Sequence, residues 1–135
     1  MKIRVYYDDT DAGGVVYHAN YLEFCERARS ELFFKHGKTP VLDGGHFVVK
    51  RIEADFVKSA ILGDLLEVKT ELIALKNASL HVKQTIYHDH EILFLMSCQL
   101  AFVKDQKVSK IDALTKEFFF YGILSQTQDV QQGLV

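Results

Sequence analysis

The chain has 135 residues, enough for one domain and too few for two. Its 48% hydrophobic and 25% charged residues exclude a disordered tail protein, a collagen-like chain and a small disulfide-stapled scaffold. Sixteen Lys+Arg against eighteen Asp+Glu leave a net charge of −2, which gives no general attraction to nucleic acid or anionic lipid. Cys25 and Cys98 form no CxxC and read as two buried thiols of a reduced intracellular protein. The N-terminus MKIRVYYDD is too polar for a signal-peptide core. No stretch approaches the roughly 18 apolar residues of a membrane span, so a cytoplasmic location without integral membrane segment is expected.

Residues 2–8 start as a strand, with Ile3, Val5 and Tyr7 on one face and Lys2, Arg4 and Tyr6 on the other. The segment DTDAGGVVYH breaks this alternation with two acids and a glycine pair, a turn-rich connection. From Asn20, a candidate N-cap, the period becomes helical: Tyr21, Cys25, Ala28 and Leu32 share a stripe that Phe24 and Phe33 widen. Glu23–Arg27 and Arg27–Glu31 form i,i+4 pairs on the other side, and Gly37 ends a helix over 20–36.

Beyond the loop KTPVLDGG the period is two. Val48, Ile52, Ala54 and Phe56 share one face of 47–58; Leu66, Val68, Leu72 and Ala74 share one of 64–75. Leu80, Val82 and Ile86 do so in 79–88, and Ile92, Phe94, Met96, Cys98, Leu100 and Phe102 in 92–103. Short polar breaks at Lys76-Asn77 and Asp89-His90 suit antiparallel hairpins. Residues 112–121 add a short helix with Leu114, Phe118 and Tyr121 as its stripe. The expected fold is α+β: an antiparallel five-stranded sheet wrapped round one long central helix. A single domain fills 1–125, and the Gln-rich stretch 126–135 is a polar tail. Leu93, Leu95, Ala101 and Val103 on the back of 92–103 point to a partner subunit.

The chain has no GxSxG, P-loop, GxGxxG or HExxH motif. His88 and His90 read as turn histidines, without further ligands at metal-site spacing. Glu26-Arg27-Ala28-Arg29 reads as helix-surface pairing rather than an anion clamp. Polar residues concentrate in 7–20: Tyr7, Asp9, Asp11, His18 and Asn20 around the glycine pair. Two roles fit the acids. They can cap turns. Alternatively, a carboxylate beside a helix start can attack a carbonyl or take a proton from water, while the helix's unpaired N–H groups hold the oxyanion.

The stretch YYDDTDAGGVVYHANYLEFCERARSELF resembles the signature of hotdog-fold acyl-CoA thioesterases of the 4-hydroxybenzoyl-CoA thioesterase type, within them the Tol–Pal-associated YbgC branch. The resemblance continues more loosely to about residue 115, including FVKSAILGD. It implies a homo-oligomeric hotdog with its active site between subunits. Asp11 matches the catalytic carboxylate, as nucleophile or general base. His18 matches the residue at the helix entrance whose backbone N–H contacts the thioester oxygen and whose imidazole is also implicated. Tyr7 matches a residue lining the site, and Gly14 the glycine that lets the loop turn; Asn20 stays a structural cap. Gly13 stands where the family often has alanine, proline, serine or an acid, which implies a slightly looser turn.

The function implied is hydrolysis of an acyl-CoA to free acid and coenzyme A, without metal or cofactor. Coenzyme A carries phosphates, so Lys50, Arg51, Lys58 and Lys83 are candidates for holding it. The partners implied are acyl-CoA or an acyl carrier protein as donor, and copies of the chain in a dimer or tetramer. Two alternatives stay open: a hotdog dehydratase or hydratase on acyl thioesters, and a non-catalytic acyl-binding module. Acyl length, aromatic or aliphatic, and any link to a cell-envelope complex are not fixed by the sequence.

Overall fold

The computed structural model of the chain describes residues 1–42 and 44–121, so the expected tail 126–135 lies outside the described residues. In chain order come β1 (Lys2–Arg4), a 3-10 turn (Tyr7–Asp9), α1 (His18–Phe34), β2 (His46–Phe56), β3 (Leu65–Leu75), β4 (Ser79–His88), β5 (Glu91–Lys104) and β6 (Lys107–Val108). A second helix, α2, covers 113–121. The strands form one antiparallel sheet in the order β1-β3-β4-β5-β2, with β6 added beside β5. The expected five strands are thus six among the described residues, and the short helix expected over 112–121 beside the long central one is α2.

The helical stripe read from the sequence is the face α1 buries: Tyr21, Phe24, Cys25, Ala28, Leu32 and Phe33. The sheet answers with Leu66, Val68, Val82, Ile86, Phe94 and Cys98, all at or near zero exposure. Burial of these apolar side chains drives the sheet to curl round the helix, and truncating Phe24 or Phe94 to alanine costs about 3–5 kcal/mol. The helix starts two residues earlier than expected. Its N-cap is Tyr17, and Asn20 lies inside the first turn. Gly37 ends it, at φ +69, with the Lys38 N–H returning to the Phe33 carbonyl at 2.9 Å.

Two bulges change which residues share a face. A shift between Val49 and Arg51 places Phe47 and Val49, not Val48, in line with Ile52, Ala54 and Phe56 opposite the core residues of β5. A second shift, between Leu72 and Ala74, sends Ala74 to the outer face beside His81 and returns Leu75 inward beside Leu80. Each extra residue inverts the alternation that follows it. In α2 the buried residues are Thr115 and Phe119, whereas Leu114 and Tyr121 are 75% and 66% exposed. Asp112 fixes this rotation by accepting the Thr115 N–H at 2.7 Å as an N-cap, and Phe119 then meets Phe33 and Phe47. The bonds from Thr115 hold the Asp112 carboxyl below its ordinary range.

The back of β5 is less open than the sequence implied. Leu93 and Ala101 are buried within the chain itself, and the Val57 and Lys58 N–H groups both donate to the Leu93 carbonyl. The open apolar surface lies instead on the edge strand β2, where Val49, Ile52 and Phe56 are 41%, 38% and 55% exposed.

Candidate active site

Val5 donates its N–H to the Asp64 carbonyl, and the chain then leaves the sheet through the 3-10 turn. A tight loop follows. The Asp11 N–H donates to the Val15 carbonyl at 2.9 Å, and the Gly14 N–H to the Asp11 carbonyl at 3.0 Å. Gly14 adopts φ +80, a conformation that an L side chain enters only at a cost of roughly 1–2 kcal/mol. The Asp11 carboxylate stands exposed at this turn. Its Oδ1 accepts the Gly13 N–H at 2.8 Å, and Oδ2 has no partner among the described residues.

Asp9 has the opposite setting. It is 6% exposed, and its carboxylate accepts the Tyr6 N–H at 2.9 Å and the Asn20 Nδ2–H at 3.0 Å. Its carbonyl accepts the Tyr17 N–H at 3.0 Å. Two of these bonds, from Tyr17 and Asn20, tie the loop to the start of α1, and the third holds it to Tyr6. Asn20 serves that anchor rather than capping the helix. No side chain caps α1, and the His18 and Ala19 N–H groups have no acceptor among the described residues. These donors lie at the positive end of the helix dipole, at the helix start that follows the loop carrying Asp11.

The segment 57–64 supports the loop from the other side. Val16 donates to the Ala60 carbonyl at 2.9 Å, Val15 pairs with Ile61, and Gly63 donates to the Val5 carbonyl at 3.0 Å. The buried Tyr21 hydroxyl accepts the Ala60 N–H at 3.0 Å while its ring stacks on Phe94. Burial pushes the Tyr21 phenol above its ordinary value, with the Ala60 bond opposing. The His18 ring is exposed, 4.3 Å from the Tyr17 ring and 6.4 Å from the Phe56 ring between centroids.

Asp11 and Gly14 share one turn of the loop, and His18 opens the helix that follows it. Tyr7 does not stay on the inward face of Ile3 and Val5. The 3-10 turn swings it out to 82% exposure, and its carbonyl accepts from Thr10. The four basic candidates do not form one patch. Arg51 pairs with Glu53, and Lys58 with Glu91. Lys50 sits at the β2 bulge, and Lys83 lies in an outer-face hollow with Glu53 and Asp55. His88 stands 3.6 Å from Asp64 and 3.4 Å from Asp89, and among the described residues no group of three His, Cys, Asp or Glu side chains is placed to hold a metal ion. Sequence patterns missed Tyr21 and Ala60 as positioning residues, and for Asp9 they offered turn capping as one of two roles. Only their burial and bonds distinguish them.

The arrangement offers an exposed carboxylate, N–H donors without an acceptor among the described residues for a developing oxyanion, and the part-exposed Phe56 ring beside His18. The protein-family model of the thioesterase superfamily matches residues 13–94. An acyl-CoA thioesterase YbgC of Helicobacter pylori (strain J99) is 52% identical over 87 residues, 64% of this chain; the match spans 65% of that protein, just under two thirds of its length. The acyl-CoA thioester hydrolase YbgC of Escherichia coli O157:H7 is 38% identical over 117 residues, 84% of this chain and 87% of that one. A crystal structure of a probable thioesterase from Bartonella henselae superposes with TM-score 0.79 at 34% identity, covering 83% of this chain and 97% of that one.

Proposed function

The chain belongs to the thioesterase superfamily, and on that premise we propose that it hydrolyses an acyl-CoA to the free acid and coenzyme A. What supports this reading is an exposed Asp11 carboxylate on the loop that leads into an uncapped helix start at His18 and Ala19. The thioester carbonyl lies with its oxygen toward those N–H groups. As the tetrahedral centre forms, charge moves onto that oxygen, and one such donor is worth about 2.7–4 kcal/mol of barrier. Asp11 supplies the attack, either directly or by taking a proton from water. The His18 imidazole stands beside the same carbonyl, and Tyr7 lines the site from the loop.

The apolar strip on β2 supports two further parts of the reading. It receives acyl carbons next to His18, and it is the surface through which two copies of the chain associate, so that each site is completed between subunits. Among the four basic candidates, Lys50 and Lys83 have no carboxylate partner among the described residues and are the better donors to the phosphates of coenzyme A. Arg51 and Lys58 would have to exchange an ion pair for a phosphate. An acyl carrier protein is the alternative donor of the acyl group. Two buried free thiols suit a reducing, cytoplasmic setting.

The test is thiol release from saturated acyl-CoAs of increasing length by wild type and Asp11→Asn. We expect turnover that falls at least a hundredfold in the variant while the protein stays folded, with a length profile that identifies the acyl class. A saturated chain has nothing to dehydrate, so turnover also separates hydrolysis from the dehydratase reading. Binding without thiol release at any length would overturn the proposal in favour of an acyl-binding module.

A further inference from the structure

Both ends of the Asp11 loop rest on one short turn, residues 61–64. At the entry, the Val5 N–H donates to the Asp64 carbonyl at 2.9 Å, and the Gly63 N–H returns to the Val5 carbonyl at 3.0 Å. At the exit, Ile61 pairs with Val15 as an isolated antiparallel bridge, and the neighbouring Ala60 carbonyl accepts the Val16 N–H. Val15 in turn holds Asp11, because its carbonyl accepts the Asp11 N–H at 2.9 Å.

The turn is closed by the side chain of Asp64. Its Oδ2 accepts the Ile61 N–H at 3.0 Å, while the Asp64 N–H donates to the Ile61 carbonyl at 3.1 Å. Gly63, at φ +90, lets the chain reverse here, but glycine has the most conformational freedom to lose on ordering. The carboxylate bond offsets part of that loss. The Arg4 Nη1–H donates to the Gly63 carbonyl at 2.8 Å and ties the turn to β1. The other carboxylate oxygen, Oδ1, stands 3.6 Å from the His88 Nε2 at the end of β4, and the Asp64 side chain is only 17% exposed. It has no bond to the loop 9–16 among the described residues.

We infer that Asp64 is a positioning residue for the hydrolysis, one that sets the place of Asp11 through the 61–64 turn; this rests on the hydrolase reading above. Three links join the two aspartates: the Asp64 carboxylate to the Ile61 N–H, Ile61 to Val15 across the bridge, and the Val15 carbonyl to the Asp11 N–H. The loop's own bonds, from Gly13 and Gly14 back to Asp11, fix its shape and not its place on the molecule. Place matters to rate, since a shift of about 1 Å in a reacting group can cost about a hundredfold. Asp64→Ala leaves the backbone bonds to Val5 in being and removes only the carboxylate link. A merely structural role would lower stability and leave the folded protein at full rate.

The test measures thiol release from a saturated acyl-CoA and amide hydrogen exchange in the 15N-labelled full chain, for wild type, Asp64→Ala, Asp64→Asn and Ile111→Ala. Asparagine keeps a side-chain oxygen for the Ile61 N–H. Ile111 is 1% exposed, its N–H bonded to the Asn77 carbonyl, so its truncation weakens the fold without touching the turn or the loop. We expect kcat to fall at least tenfold in Asp64→Ala with KM within twofold, and to return within threefold of wild type in Asp64→Asn. Exchange of the Ile61 and Asp11 amides should quicken at least tenfold in Asp64→Ala and stay within threefold in Asp64→Asn. Ile111→Ala should lower the melting temperature at least as far and keep kcat within twofold. If Asp64→Ala fails to fold, Asp64→Glu takes its place with the same thresholds, since it carries the charge one methylene too far for the Ile61 N–H. An undiminished kcat in Asp64→Ala, an equal loss in Ile111→Ala, no recovery in Asp64→Asn, or an Asp11 amide that exchanges as in wild type would each overturn the inference. A wild type that releases no thiol sinks the hydrolase reading instead, and the two amides then decide whether Asp64 holds the loop.

Discussion

Two aspartates two positions apart have opposite fates, and their environments explain it. Asp9 is buried with three bonds into the loop and helix start, whereas Asp11 is exposed with one carboxylate oxygen unoccupied. Removing the Asp9 carboxylate strands a backbone N–H and a side-chain amide, each costing about 1–3 kcal/mol. Asp9→Ala should therefore lower stability by about 2–4 kcal/mol in urea unfolding. Asp11→Asn should change stability by less than about 0.5 kcal/mol while abolishing thiol release. Cys25 supplies a pH test. Desolvation lifts its thiol from an ordinary 9.0 up to about 12, with Arg29 opposing part of the rise. Between those values the unfolded thiol loses its proton and the folded one keeps it, so its contribution is intact below about 9 and lost as pH rises toward 12. The expected slope is about −1.4 kcal/mol per pH unit from this group. Chemical denaturation of wild type and Cys25→Ala across pH 8–11 checks it: the difference between the two curves should follow that slope.

The loop 9–16 is held by neighbours as much as by its own turns. Tyr21→Phe removes the hydroxyl that accepts the Ala60 N–H and keeps the ring on Phe94. The stranded N–H should cost about 1–3 kcal/mol, and hydrogen exchange should rise first across 57–64, where the loop's support begins. Gly14→Ala should cost about 1–2 kcal/mol through its φ of +80 and lower the melting temperature by several degrees. The long helix, four long strands and the Asp11–His18 loop were legible in the sequence, because burial imposes periods of 3.6 and 2 and the loop breaks both. What was not legible turned on single-residue slips. The bulges at Val49/Arg51 and Leu72/Ala74 leave a tolerable apolar pattern in either register, so Val48 and Ala74 looked inward. Tyr7 fitted the strand alternation until the 3-10 turn took it outside. Arg29 looked like a surface partner of Glu26, since its true partner, Gln84, lies on a strand far along the chain.

The sheet taken whole has one unbalanced edge. β1 is three residues long, but β2 runs for eleven and, among the described residues, pairs only with β5 on one side. A long edge with a free row of N–H and C=O groups templates another strand, and natural proteins blunt such edges with charge, proline or cover. Here the edge carries Val49, Ile52 and Phe56 on its inner face, all part-exposed, with the Phe56 ring 6.4 Å from the His18 ring between centroids. Antiparallel pairing of two β2 strands would cover this surface and set the partner's strand across the open side of each Asp11 loop. The chain should therefore be a dimer or a higher even assembly by light scattering at micromolar concentration. Ile52→Lys places an ammonium where the second strand would pack, at a site exposed enough for the single chain to fold around it. That variant should run at the mass of one chain, keep its far-ultraviolet circular dichroism, and lose most of its thiol release because each site has lost its second wall. An Ile52→Lys protein that stays dimeric, or a monomer with undiminished turnover, would separate β2 from the active assembly and place the catalytic surface within one chain.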